Sequence, residues 1–209
     1  MPEATTFGLF LTAAILLAIT PGPGIFYVLT RSLKGGRAEG LASSFGTAVG
    51  GFVHVVGAAF GLSAILATSS IAFAVVKYVG AAYLIYLGIR TLRSDEEISL
   101  NANALSSITS DAFRQGIITE VFNPKTALFF LAFIPQFINP QGTVILQFVL
   151  LGSISVALNT SVDIVIVLLA GPIGQWLRTS TQFRHRLRLF TGWSLIGLGT
   201  YVAVADNKR

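Results

Sequence analysis

The chain contains no cysteine. Disulfides, thiolate metal ligands and thiol redox chemistry are therefore excluded, while the compartment stays open on this count. Charge is nearly as scarce: Asp, Glu, Lys and Arg make up 11% of 209 residues, against 53% hydrophobic, and mean hydropathy is +0.75. A soluble domain carries roughly 25% charged residues. This chain cannot coat a water-facing surface, and it reads as an integral membrane protein. Histidine occurs twice. With His, Asp and Cys so sparse in the apolar runs, a metal-ion exporter is disfavoured and no metal site is expected. His-Glu-x-x-His and Gly-x-Ser-x-Gly are both missing, so neither an enzyme, a catalytic residue nor a cofactor is expected. Gly22-x-Gly24 is no dinucleotide fingerprint, because residue 27 is Tyr and no strand precedes it. Basic residues outnumber acidic ones 14 to 9, which in a soluble protein would point to nucleic acid. Here they cluster in short connections between apolar runs, and no nucleic-acid partner is expected.

What the chain does have is long apolar runs. A bilayer core takes about 20 such residues as a helix. Six spans are predicted: 7–30, 41–66, 71–90, 115–138, 144–170 and 189–205. The N-terminus lacks the positive region of a signal peptide, and span one is expected to be retained. The polar stretch 94–112 reads as a mobile loop between a first three-helix repeat (1–93) and a second (113–209). Ten of the fourteen basic residues, from Arg31 to Arg188, fall in the first, third and fifth loops. The positive-inside rule then puts segments 31–40, 91–114 and 172–188 in the cytoplasm and both termini outside the inner membrane. Three spans per half make two similar halves inverted relative to each other.

Spans one and four each carry a break: Thr20-Pro21-Gly22-Pro23-Gly24 and Asn123-Pro124-Lys125. A proline inside a helix costs about 3 kcal/mol. In lipid the freed backbone groups find no water, so such a break persists only where it is buried in protein or lines a cavity. Pro21 lies ten residues before Arg31 and Pro124 ten after Arg114. At a helical rise of 1.5 Å both sit about 15 Å from the cytoplasmic face, near the midplane. Paired breaks in corresponding positions point to a transporter's binding site.

With these breaks go a glycine-studded second span containing His54, the run Lys77-Tyr78-Val79-Gly80-Ala81-Ala82-Tyr83-Leu84, an aromatic stretch leading to Pro135-Gln136-Phe137, and Asp163. In this combination the whole chain resembles the lysine-exporter and homoserine/threonine-resistance families of amino-acid exporters. The resemblance implies efflux of small amino acids or close derivatives (homoserine, threonine, neutral or basic) by proton antiport. It departs at Gly24, where many relatives carry asparagine. Rival readings are an exporter of another small solute or ion, and a non-transporting accessory subunit.

The predicted substrate-binding residues are Pro21, Gly22, Pro23, Gly24, Asn123, Pro124, Lys125 and Asp163. Charged groups within a span are costly and default to function with a named partner. Asp163 is a proton carrier or the counter-charge to a substrate ammonium; the alternative is an ion pair with Lys125 or Lys77. Lys125 can hold a substrate carboxylate or neutralise Asp163. Asn123 can serve substrate or simply cap the break. The half-helix after Pro23 offers free amides to a carboxylate. Proton-coupling candidates beside Asp163 are His54, which titrates near neutral pH, and Lys77, otherwise an anchor reaching for the outer interface. Glu120, about six residues inside Arg114, is placed near the cytoplasmic surface and outside the site. Gly46, Gly50, Gly57 and Gly61 serve close packing within the monomer or a homodimer face. Phe129, Phe130 and Phe133 read as packing or lipid-facing groups. The expected partners are a small amino-acid-like substrate, protons and lipid.

Overall fold

The computed structural model describes residues 4–62, 69–93, 109–139 and 141–205. Those residues are helical throughout apart from short turns, with no strand among them. The helices are α1 (Ala4–Ile19), α2 (Pro23–Gly57), α3 (Ser70–Arg93), α4 (Thr109–Val121), α5 (Pro124–Leu128), α6 (Val144–Leu168), α7 (Ala170–Thr179) and α8 (Thr181–Val204). Wider and tighter turns extend α2 to Leu62 and α5 to Phe137. Among the described residues, by length and apolar character, four helices can cross a membrane, or five with the bent pair α4–α5 counted as one; α1 is a shorter apolar helix.

Both expected breaks are present. α1 stops at Ile19, Gly22 is extended (φ −160°), and Pro23 opens α2 at the position where its missing N–H costs nothing. α4 stops at Val121, and Pro124 opens α5 at a bend of 46°. There the Asn123 side chain accepts the Lys125 amide at 3.1 Å, satisfying one of the donors a helix start leaves open.

Segment 31–40, read as a loop, is helix on both sides of one residue. Only Gly36 departs, at φ 71°, a conformation that favours glycine. Gly24 and Gly50 both lie against Glu120, so α2 folds back on itself here rather than running straight. Arg31, read as a loop charge, is buried and paired with the buried Glu39 at 3.1 Å, and it also donates to Gln115 at 2.7 Å. Counting charges cannot separate a solvated arginine from one neutralised by tertiary contact.

Other boundaries also shift. Ser180 caps α8 by accepting the Phe183 amide at 3.1 Å, so the last span begins well before residue 189 and Arg184 and Arg188 are helical. Residues 172–179 lie in α7, whose Trp176 and Arg178 are exposed while Gly174 and Leu177 pack inward. Of the expected linker, residues 94–108 fall outside the described residues, and 109–112 begin α4.

Small residues set the packing. Gly46 and Gly50 of α2 meet the Phe113 and Ile117 carbonyls of α4, and Gly116 meets that of Ser43; these two helices run parallel. Gly88 of α3 and Gly192 of α8 sit against each other's carbonyls, and Gly199 sits against that of Ala81, an antiparallel pair. A side chain at any of these contacts would force the backbones apart. Gly57 and Gly61 face open space. Phe10, Phe129, Phe133 and Phe137 form the centre of the core, Phe129 and Phe133 stacking at 4.9 Å; Phe129, Phe130 and Phe133 are packing groups.

Candidate functional site

The two breaks touch. Lys125, on the first turn of α5, reaches the end of α1 and donates from Nζ to the carbonyls of Thr20 (2.7 Å) and Leu17 (3.1 Å). Both lie at the end of α1, where the dipole is negative; the Leu17 carbonyl also accepts the Thr20 amide at 3.2 Å. A buried cation there meets both carbonyls and the negative end of the dipole.

Glu120 supplies the complement. It is buried and lies beside the break rather than apart from it. Its carboxylate accepts from Thr126 Oγ1 (2.6 Å) and Asn123 Nδ2 (3.0 Å). A Cβ on Gly24 would lie 2.6 Å from Glu120 Oε2, so the carboxylate occupies the space a side chain would fill at the start of α2. That helix end is positive and carries no side-chain cap. The cation thus lies at the negative end of one half-helix and the anion at the positive end of the next. Spacing could have found Glu120: it lies three residues before Asn123, on the same helical face.

Asp163, in the C-terminal part of α6, is buried and accepts from Thr47 Oγ1 at 2.9 Å. It is within ion-pair distance of neither Lys125 nor Lys77. Thr47 and Thr126 carried no sequence signal, because a hydroxyl in an apolar run commonly bonds its own helix.

Asp163, Glu120, Lys125, Asn123 and Gly24 line one narrow crevice between α2, α4–α5 and α6. Its free space is about 20 Å³, room for a single water. On the other side of Lys125 opens a cavity of about 680 Å³, floored by Pro21, Gly22, Pro23 and Pro124 and walled by α3 and α8. Lys125 lines both. All eight predicted substrate-binding residues therefore border one of two adjoining spaces.

The other two candidates lie apart. His54 Nε2 donates to the Glu120 carbonyl at 2.9 Å, and its ring stacks on Phe130 at 5.9 Å. That carbonyl also accepts the Asn123 amide, so His54 helps to satisfy backbone loosened by the break and stands one layer behind the crevice. Lys77 is buried. It donates to the Ala205 carbonyl at the end of α8 and lines neither space.

The LysE type translocator family matches residues 15–206. Among individual relatives, a homoserine/homoserine lactone efflux protein of Salmonella typhi is 33% identical over 87% of this chain and 88% of its own length. A membrane protein of Bacillus subtilis, YrhP, is 31% identical over 91% and 94%. One from Vibrio cholerae is 29% identical over 94% and 95%. No solved structure matches.

Proposed function

We propose that the chain, which belongs to the LysE type translocator family, exports small amino acids or close derivatives from the cytoplasm by exchange with protons. One observation carries this reading: Lys125 of the second break bonds the carbonyls of the first, with Glu120 and Asp163 in the crevice beside it. A zwitterion needs one cation and one anion a few ångströms apart, and this is where the protein keeps them.

The crevice groups carry two carboxylates and one ammonium. An uncompensated charge away from water is costly, so the site favours one further cation. A proton supplies that charge outright. A zwitterion adds none in total, but its ammonium takes the same place at the carboxylates while its carboxylate is met by Lys125. Proton and substrate ammonium therefore exclude each other. In this scheme the substrate carboxylate takes the Lys125 ammonium from Thr20 and Leu17, its own ammonium goes to Asp163 and Glu120, and departure outward leaves Asp163 to take the returning proton. The start of α2, already facing Glu120, is the poorer place for a carboxylate.

The wider frame is part of the proposal. Residues 1–93 and 113–209 form inverted repeats of three spans each, joined by 94–112. Span one is α1 with residues 23–35, and span four is α4 with α5. Antiparallel packing of α3 on α8 and parallel packing of α2 on α4 both fit that arrangement. The chain lies in the inner membrane, with both termini outside. Rocking of one repeat against the other moves the site between faces.

The test is counterflow in reconstituted vesicles. Labelled homoserine, threonine, lysine and other small amino acids are offered with and without a pH gradient. Saturable counterflow of at least one, accelerated by the gradient, is expected. An absence of counterflow for all of them would favour the accessory-subunit reading.

A further inference from the structure

The Thr47 hydroxyl stands between two acceptors. Its Oγ1 lies 2.8 Å from the carbonyl of Ser44, one turn back on α2, and 2.9 Å from Oδ2 of Asp163 on α6. Both are full hydrogen-bond distances, yet a hydroxyl has a single hydrogen to give. Both contacts are hydrogen bonds at once only when Asp163 carries a proton. The carboxyl then donates to Thr47 Oγ1, and Thr47 donates to Ser44. With Asp163 ionised, the Thr47 hydrogen turns to Oδ2, and the Ser44 carbonyl keeps the amide of its own helix. Thr47 and Asp163 are both buried, and a polar group away from water is costly without a partner. In either protonation state this pair has one.

The backbones around the pair are close. A Cβ on Gly40 would lie 3.0 Å from Val167, and one on Gly51 would lie 3.0 Å from Val156. α2 is therefore packed on α6 on both sides of Thr47, and rotation of one hydroxyl is the smallest adjustment open to it. The other charges facing Asp163 are Glu120 of α4 and Lys125 of α5, which share its crevice. Of the segments packed on α6, α1 and residues 58–62 and 134–137 carry no ionisable side chain. On α2, Arg31 and Glu39 pair with each other, His54 bonds the Glu120 carbonyl, and Lys34 and Arg37 are exposed. Arg178 of α7 is exposed as well.

We propose that Thr47 is a positioning residue for the proton carrier: its hydroxyl donates to Asp163 when the carboxylate is charged and accepts from it when the carboxyl is neutral, so that a proton arrives and departs without parting α2 from α6. This rests on the reading of Asp163 as proton carrier and deepens it. Thr47 turns but passes no proton on; its own O–H bond stays intact, and the proton Asp163 binds is the one it releases. The same turn tells the two exchanged cations apart. A proton on Oδ2 sends the Thr47 hydrogen to Ser44, whereas a substrate ammonium at Oδ1 leaves it on Oδ2. Each cation thus has its own carboxylate oxygen.

Thr47→Ser keeps the hydroxyl, and Thr47→Val keeps the shape without it. Both are reconstituted in the same vesicles as wild type, Asp163→Asn and the double variant Thr47→Val with Asp163→Asn. The probe is whichever of labelled homoserine, threonine and lysine wild type carries fastest. Its flux is followed with and without a pH gradient and as a function of pH. Thr47→Val should lower gradient-driven flux about 10-fold or more, the worth of a hydrogen bond to a charged group. Such a bond is about twice as strong as a neutral one, so its loss falls unequally on the two states. The half-maximal pH should therefore move by about half a unit or more. Thr47→Ser should match wild type in both respects. With Asp163→Asn already present, Thr47→Val should change flux by less than about 2-fold, as residues acting as a unit do. Thermal melting in detergent checks folding; if Thr47→Val does not fold, Thr47→Ala is measured the same way. A wild-type pH profile in Thr47→Val would overturn the proposal. So would a loss in Thr47→Ser as large as in Thr47→Val, which would make packing the cause, or the same loss from Thr47→Val with and without Asp163→Asn. All three leave the proton carrier standing. Gradient-driven flux that persists in Asp163→Asn would instead remove the carrier reading beneath it, and no wild-type flux of any probe would remove export itself.

Discussion

The Lys125 ammonium lies 2.7 Å from the carbonyl oxygen of Thr20, more than a hundred positions away in sequence. Each residue belongs to a break, and each explains the other. Thr20 is fully buried where α1 must stop before Pro21, and its carbonyl has no helical partner. Lys125 is a buried cation that needs an acceptor and lies in ion-pair contact with neither Glu120 nor Asp163. A substrate carboxylate can therefore compete for this ammonium without first breaking a salt bridge.

Asp163 is assigned the returning proton, and Asp163→Asn separates that role from substrate binding. The variant keeps its size and can still meet Thr47. Exchange of labelled for unlabelled substrate at equal pH should persist, while acceleration by a pH gradient is lost. Undiminished gradient-driven flux would remove Asp163 from the coupling.

Gly24 leaves space that Glu120 uses. With Gly24→Ala the new Cβ would stand 2.6 Å from Glu120 Oε2, inside contact distance, and the carboxylate would be pushed off Asn123 and Thr126. Each lost charged hydrogen bond is worth about 1.5–3 kcal/mol. Transport should fall at least 10-fold with little change in expression, and Glu120→Gln should show a comparable loss. Wild-type KM in Gly24→Ala would mean that Glu120 does not need its place at the start of α2.

The breaks were legible because proline and glycine act locally: Pro21, Pro23 and Pro124 cannot continue a helix whatever surrounds them. Asp163 stood out as a lone carboxylate between Val162 and Ile164. What was not legible depends on partners. Arg31 looked like a loop charge, since nothing local tells a buried pair from a solvated one. The acceptor of Lys77, the Ala205 carbonyl, lies at the far end of the chain and leaves no local signal. Glu120 was misjudged by measuring depth from Arg114 alone, although its spacing to Asn123 already put it beside the break.

The Arg31–Glu39 pair makes a stability prediction. Glu39→Gln removes the carboxylate that faces the buried Arg31 guanidinium at 3.1 Å, and losing one partner of a buried pair costs about 3–5 kcal/mol. The purified protein should melt well below wild type, whereas Arg31→Met with Glu39→Leu should recover much of the difference. If Glu39→Gln melts like wild type, the pair does not hold the Gly36 turn together.

The central claim is that the two breaks form one site, and a double-mutant cycle across them tests it most directly. A Cβ at Gly22 would touch Lys125 Cε at 3.3 Å, so Gly22→Ala probes the first break and Lys125→Arg the second. KM for the transported amino acid is measured for both singles and the double in the same vesicles. Residues in contact couple by about 0.5–3 kcal/mol, so the double variant should differ from the product of the single effects by about 2-fold or more. Strict additivity would mean that the substrate meets the two segments independently, and would contradict a shared site.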